Sequence, residues 1–188
     1  MSWKPSSVAN PPNKMRTLIL IPTETEAAPL RAACPDAPVR IAGVGMAATA
    51  AATARIIAEE HPDRLILAGI AGASDRSVAV CEVVAGAGER IAELPGKYAV
   101  RYAADFIPAG LRTVESNTTN RTGVAASGTQ IENMEGAAFL AVCRAFGVPG
   151  AEVRAVSNYT DDPRSAWRIE ESAEKLAKTI IRILPDYE

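Results

Sequence analysis

At 188 residues, 48% of them hydrophobic and 22% charged, the chain can bury about 70% of the surface it exposes when unfolded, which suits one domain with a real core and argues against two. A formal net charge of -2 leaves no basic surplus, so the composition speaks against a nucleic-acid partner or attraction to an anionic membrane. Cys34, Cys81 and Cys143 are odd in number, far apart and set among apolar residues, without metal-ligand spacing, which reads as reduced core thiols of a cytoplasmic protein.

Residues 1–16 carry Pro5, Pro11 and Pro12 among small polar side chains with no apolar period, which predicts a disordered arm, with Met15 as a candidate start. The apolar run from Leu18 to Ile21 is far shorter than a signal peptide or a membrane span. Thr17 to Pro22 reads instead as a buried strand, and Thr23-Glu24-Thr25-Glu26 opens a short helix through Leu30 at its carboxyl end. Ligands of open α/β sheets sit at such strand ends, although both glutamates are also ordinary acids for a first helical turn. Two residues apart, they cannot share a helix face, so at most one points into a site.

Val39 to Ala42 predicts a second strand, from which Gly43-Val44-Gly45 leads into an alanine-rich helix over Met46–Glu60. Glycines at such a turn let a ligand approach the backbone, and tight packing of the helix on the sheet explains them more plainly. His61, the only histidine, falls in the surface turn that ends this helix, so a Ser/His or Cys/His catalytic pair has no support. Arg64 to Ala68 predicts a buried strand closed by the small-residue turn Gly69-Ile70-Ala71-Gly72. Val78 to Ala87, Tyr98 to Tyr102 and Leu111 to Ser116 read as further strands, with Asn117–Asn120 as a polar loop. A short strand through Asn133 and a helix from Met134 follow; the alternative is a capping box at Thr129-Gln130-Ile131-Glu132, which starts the helix earlier. Gly147-Val148-Pro149-Gly150 ends that helix, Glu152 to Val156 forms a last strand, and Ser165 caps a final amphipathic helix to about Leu184. Strands and helices alternate with extra strands in the middle, which predicts a three-layer α/β/α domain with a mixed central sheet.

Two segments put polar side chains where apolar ones would pack better. At 3.6 residues per turn Glu135 shares a face with Phe139, Val142 and Phe146, a costly place for a carboxylate unless it sits in the first turn and meets a polar ligand. A helix-start carboxylate without chemistry explains it equally well from this segment alone. The second segment, Arg154-Ala155-Val156-Ser157-Asn158-Tyr159, ends a buried strand in Ser157 and Asn158, where Asn158 as a cap for the turn before Asp161-Asp162-Pro163 is the plain alternative.

Taken in order, Thr23-Glu24-Thr25-Glu26, Gly43-Val44-Gly45, Ala68-Gly69-Ile70-Ala71-Gly72, Met134-Glu135-Gly136-Ala137-Ala138 and Arg154-Ala155-Val156-Ser157-Asn158 resemble the nucleoside phosphorylase and nucleosidase superfamily from Thr17 to Leu184. The run Glu132–Phe139, the triplet Ser157-Asn158-Tyr159 and Trp167 are similar to its futalosine hydrolase branch, which belongs to one menaquinone route. The resemblance implies that Glu26 orients and deprotonates an attacking water, that Met134 lies against the ribose, that Glu135 accepts from its hydroxyls and that Asn158 holds the leaving base. Gly43, Gly45, Ala71, Gly72, Asn133 and Ser157 would complete the substrate pocket. It further implies a small purine nucleoside as partner, a homodimer, and no metal or organic cofactor. Adenine-specific relatives carry aspartate where Asn158 stands; an amide offers its NH₂ to a 6-oxo oxygen and its carbonyl to a protonated N7, which favours hypoxanthine or guanine. Superfamily phosphorylases resemble one another in placing glycine and then arginine after the first strand; the two acids here repel phosphate, which favours water as nucleophile. The expectation is hydrolysis of a 6-oxopurine nucleoside, with futalosine as first candidate. A methylthioadenosine-type nucleosidase, a purine phosphorylase and a degenerate nucleoside-binding homologue without catalysis are the alternatives.

Overall fold

The computed structural model describes residues 15–124 and 128–187, so of the expected N-terminal arm all but Met15 and Arg16 lies outside the described residues. Arg16 is held: its backbone amide donates to Asp63 at 2.6 Å and its guanidinium to Glu60 at 2.9 Å. Strands β1 (Thr17–Ile21), β2 (Val39–Ile41), β3 (Arg64–Ala73) and β8 (Gly150–Tyr159) run parallel in the order β2-β1-β3-β8. Their apolar residues are nearly continuous because helices cover both faces. Side chains alternate across the sheet with period two. Ile19 and Ile21 pack with α1 (Glu24–Ala33) and α4 (Ile169–Ile183), whereas Leu18 and Leu20 pack with α2 (Met46–Glu60) and α3 (Gly136–Phe146). The result is the expected three-layer α/β/α arrangement with a mixed sheet.

The sheet does not stay open. β4 (Val83–Ile91) lies antiparallel to β8 and parallel to β6 (Arg112–Thr118), β6 lies parallel to β7 (Ile131–Asn133), and β7 returns antiparallel to the far end of β3. The pairings β3–β8–β4–β6–β7–β3 therefore close a ring, filled by Ala71, Val84, Val114, Ile131 and Val156. Two bulges adjust its register. One lies between Ala71 and Gly72 opposite Ser157, the other between Gly86 and Gly88, and each re-aims the residues that follow.

Several boundaries differ from the sequence reading. Gly69-Ile70-Ala71-Gly72 is not a turn: β3 continues to Ala73, and its small residues make room for neighbouring side chains. A Cβ at Gly69 would stand 2.7 Å from Arg154 Nη1, and one at Gly72 3.2 Å from Asn158 Nδ2. β4 begins at Val83, five residues after Val78, and runs to Ile91. The predicted strand Tyr98–Tyr102 is a single helical turn, Gly96–Tyr98, followed by the two-residue β5 (Tyr102–Ala103). Asn117 and Thr118 belong to β6 and not to a loop. Ser165 lies in a separate turn and does not cap α4, which starts at Ile169 after the Arg168 amide bonds back to Ser157 O at 2.8 Å. Cys143 is buried, while Cys34 and Cys81 are partly exposed; all three are free thiols. Among the described residues no helix is long and apolar enough to cross a membrane.

Phe139 is fully buried where α3 meets β1 and β3. Replacing it with Ala should cost about 3–5 kcal/mol in urea unfolding, and a loss below about 1 kcal/mol would show that this layer is not the core described here.

Candidate active site

A cavity of about 350 Å³, within the usual range for small-molecule sites, opens at the carboxyl ends of β1, β3 and β8. Glu26, Glu135 and Asn158, far apart in sequence, all line it, together with Ala71, Gly72, Asn133, Met134 and Ser157. Gly43 and Gly45 do not line it; Val44 between them does. Both glycines have positive φ, at 79° and 86°, so their turn shapes the wall through backbone geometry.

Of the two candidate acids after β1, Glu24 points outward and pairs with Arg31 at 2.7 Å. Glu26 is 6% exposed and faces the cavity. Thr23 accepts from the Glu26 amide at 3.2 Å and returns its hydroxyl to Glu26 Oε2 at 2.7 Å, while the Ile70 amide donates to Oε1 at 2.9 Å. The cap of α1 thus fixes the carboxylate's rotamer.

The strand ends at Asn133 as expected, but α3 starts at Gly136, two residues after the expected Met134, so Glu135 stands just before the helix; the capping-box alternative at Thr129 is not adopted. Asn133 caps the helix instead: its Oδ1 accepts from the Glu135 and Gly136 amides at 2.8 and 2.7 Å. The Glu135 carboxylate, 4% exposed, accepts from the Gly45 amide at 3.0 Å, so it lies at the positive ends of both α2 and α3. Its second oxygen meets Arg154 Nη1 at 3.3 Å.

Arg154 is the residue the sequence reading quoted but gave no role. Wholly buried, it donates Nε to Glu152 Oε1 at 2.6 Å and Nη2 to Asn133 Oδ1 at 2.9 Å. Burial disfavours its charge, but Glu152, Glu135 and Glu89 outweigh that and hold its pKa above the ordinary arginine value. The signal was present: Glu152 and Arg154, two apart in a strand with no exposed face, must point the same way and meet. Asn133 also lines the cavity, yet its side chain is spent inward, its Nδ2 meeting Glu89, Ser116 and Glu152.

At the opposite wall the bulge at Ser157 turns Asn158 toward the cavity. Asn158 Nδ2 donates to Tyr159 O at 2.8 Å and its Oδ1 accepts from Ser157 Oγ at 2.7 Å, which fixes the amide's orientation because a carbonyl can only accept. One N–H and one lone pair remain for a ligand. The turn that follows is capped by Asp162, which accepts from the Tyr159 amide at 2.8 Å, so Asn158 is not the turn cap. Glu132, absent from the expected set, also lines the cavity and accepts from the Gly123 and Val124 amides at 2.6 and 2.8 Å, tying down that loop. Burial pushes its carboxyl above the ordinary glutamate range. Arg164 stacks 4.1 Å over Trp167 at the rim, the ring and the exposed cation of the cavity wall.

A mixed sheet between two helical layers, with carboxylates gathered at its strand ends, is the class of fold seen in nucleoside phosphorylases and nucleosidases. Residues 111–187, which carry β6 through α4, match the family described as Phosphorylase superfamily. Over 60 residues the chain is 45% identical to a futalosine hydrolase of Thermus thermophilus, a match spanning 31% of this chain and 27% of that protein. A futalosine hydrolase mutant of Helicobacter pylori has a similar structure, with a TM-score of 0.82 at 15% identity, covering 92% of this chain and 99% of that one. So does a 5'-methylthioadenosine/S-adenosylhomocysteine nucleosidase from Neisseria meningitidis in complex with methylthio-immucillin-A, with a TM-score of 0.80 at 21% identity, covering 92% and 100%. The fold is therefore the one the motifs implied, and the resemblance to the superfamily stands.

Removing one partner from a buried charge cluster leaves the others uncompensated. Arg154→Met should cost about 3–5 kcal/mol in chemical denaturation; a variant within about 1 kcal/mol of the parent would mean that the cluster is solvated.

Proposed function

We propose that the protein is a nucleosidase that hydrolyses the N-glycosidic bond of a 6-oxopurine nucleoside, with futalosine as first candidate substrate. The observation that carries this reading is that Glu26, Glu135 and Asn158 face one sugar-sized cavity from three separate elements. Cleavage of such a bond passes through an oxocarbenium-like state, in which a fixed carboxylate beside the ribose gains strength as positive charge develops. Glu135, held by Gly45 and Arg154, takes that role while accepting from the ribose hydroxyls. Met134, which lines the cavity beside it, lies against the sugar. Glu26 acts as general base for the attacking water, its two oxygens held by Thr23 and the Ile70 amide so that free lone pairs face the cavity. Asn158 donates its remaining N–H to the 6-oxo oxygen and accepts from a protonated N7. Ala71, Gly72 and Ser157 form the wall beside the base.

Water rather than phosphate is supported by charge. Glu26, Glu132 and Glu135 line the cavity, Arg154 is already committed to Glu135 and Glu152, and Arg164 sits at the rim beside Trp167. The same resemblance supports a homodimer in the cytoplasm that needs neither metal nor organic cofactor.

Incubation with futalosine, inosine and methylthioadenosine, with and without phosphate, should release hypoxanthine from futalosine at a rate independent of phosphate. A phosphate requirement, or adenine as the main product, would contradict the reading. Asn158→Asp should raise the ratio of adenine to hypoxanthine release by about tenfold or more, since a protonated carboxyl matches N7 and a 6-amino group; an unchanged ratio would remove Asn158 from base recognition.

A further inference from the structure

Behind the cavity wall lie polar groups that the proposed reaction does not use. Glu89 and Glu152 are both fully buried, on the adjacent strands β4 and β8 of the closed ring. The bulge at Ala87 sets Glu89 opposite Ser116, and Glu152 lies opposite Gly86. A Cβ on Gly136 would stand 2.5 Å from Glu89 Oε1 and 2.7 Å from Glu152 Oε1, and both oxygens accept from Asn133 Nδ2, so the two carboxyl groups crowd together at the first residue of α3. Glu89 accepts from Thr118 Oγ1 at 2.8 Å and from Asn133 Nδ2 at 2.6 Å. Glu152 Oε1 accepts from Arg154 and Asn133, but Glu152 Oε2 is buried with no donor while both groups act only as acceptors.

We propose that Glu89 and Glu152 hold one proton between their carboxyl groups and act as a positioning pair: the shared proton joins the two acids, Glu152 fixes Arg154, and Arg154 fixes the Glu135 carboxylate at the cavity. Counting charge leads to the same place. Glu89, Glu152, Glu135 and Arg154 are one cation among three carboxyl groups; fully ionised they carry two net negative charges on side chains that are almost wholly buried, whereas one proton leaves a single charge, which falls on the oxygens held by Gly45 and Met134. The groups facing Glu89 are Glu152 and Arg154 from β8, Ser116 and Thr118 from β6, Asn133 from β7 and the backbone of Gly136 from α3. None of them but Arg154 is cationic. Burial first, and then Glu152, raise the Glu89 carboxyl well above the ordinary glutamate value.

Between that ordinary value and the raised one, the folded chain keeps a proton that the unfolded chain has lost. Stability therefore falls as pH rises through that window. Glutamine imitates the protonated acid, and Asn133 tolerates it because its two Nδ2 hydrogens retain Ser116 and Glu152 as acceptors.

The kinetic part of this inference rests on the nucleosidase reading, and the proton itself does not. Infrared spectra of the whole protein should show a protonated-carboxyl carbonyl band that Glu89→Gln removes, and chemical denaturation across pH should show that Glu89→Gln flattens the fall in stability. With a nucleoside that is turned over, Glu89→Gln should keep kcat within about threefold and carry the alkaline limb to higher pH, while Glu152→Gln should lower kcat about tenfold or more with KM little changed. A wild-type spectrum without that band, or pH–stability curves that superimpose, would overturn the shared proton. Glu152→Gln at wild-type kcat, or, should it fail to fold, Glu89→Gln with a wild-type pH profile, would overturn the positioning role. If no nucleoside is hydrolysed at all, the functional reading fails while the band and the stability curves still decide the proton.

Discussion

The structure turns on one buried cation. Arg154 has no exposed surface, and its guanidinium reaches Glu152, Asn133, Ile70 O and Glu135. A charge of that kind is costly in a low-dielectric interior unless nearly every donor is matched, and here β3, β7, β8 and the start of α3 each supply an acceptor. The elements around the cavity are thus tied to a single centre. Asn133 completes the tie, since the amide that accepts from Arg154 also caps α3.

The closed ring of strands makes this possible. An open parallel sheet would bring β1, β3 and β8 to a common edge, but β4, β6 and β7 would stay apart from it. Because β7 returns to pair with β3 at Gly72, Glu132 and Asn158 both approach the same glycine, where a Cβ would press on Asn158 Nδ2 at 3.2 Å. The bulge opposite Ser157 then swings Asn158 into the cavity. The resulting rigidity suits a site whose dipoles must be in place before charge develops.

Charge layout distinguishes the two ends of the cavity. Carboxylates cluster where the sugar would lie, each fixed by backbone amides or by Arg154, while the exposed cation and the indole ring stand together at the rim. An anion meets repulsion at the inner end and a neutral molecule does not, which is why Glu26, the acid after β1 that faces the cavity, bears on the proposed choice of water over phosphate. Glu132 adds to the same field, yet its partners are the amides of Gly123 and Val124, so its first effect is to hold the loop that bounds the cavity.

Much of this was legible in the chain. Runs such as Leu18–Ile21 and Arg64–Ala68 gave buried strands and the α2 limits were read to the residue, while the family resemblance pointed to Glu26, Glu135 and Asn158. The strands and helices are local signals, set by burial period and caps. The choice of Glu26 over Glu24 came from the resemblance and not from the segment itself, because two acids in one helical turn differ only in which way the helix is set against the sheet. The fold was needed for Gly69–Gly72, where small residues read as a turn but serve as gaps for Arg154 and Asn158. It was needed most of all for Glu89, Glu152 and Arg154: 89 lies far from 152 in the chain, and nothing in either segment announces the other. Local sequence determined the elements and named the polar residues at their ends. Only ring closure and two strand bulges decided which of those residues meet, because the cost of burying a charge depends on partners that long-range pairing alone brings within reach.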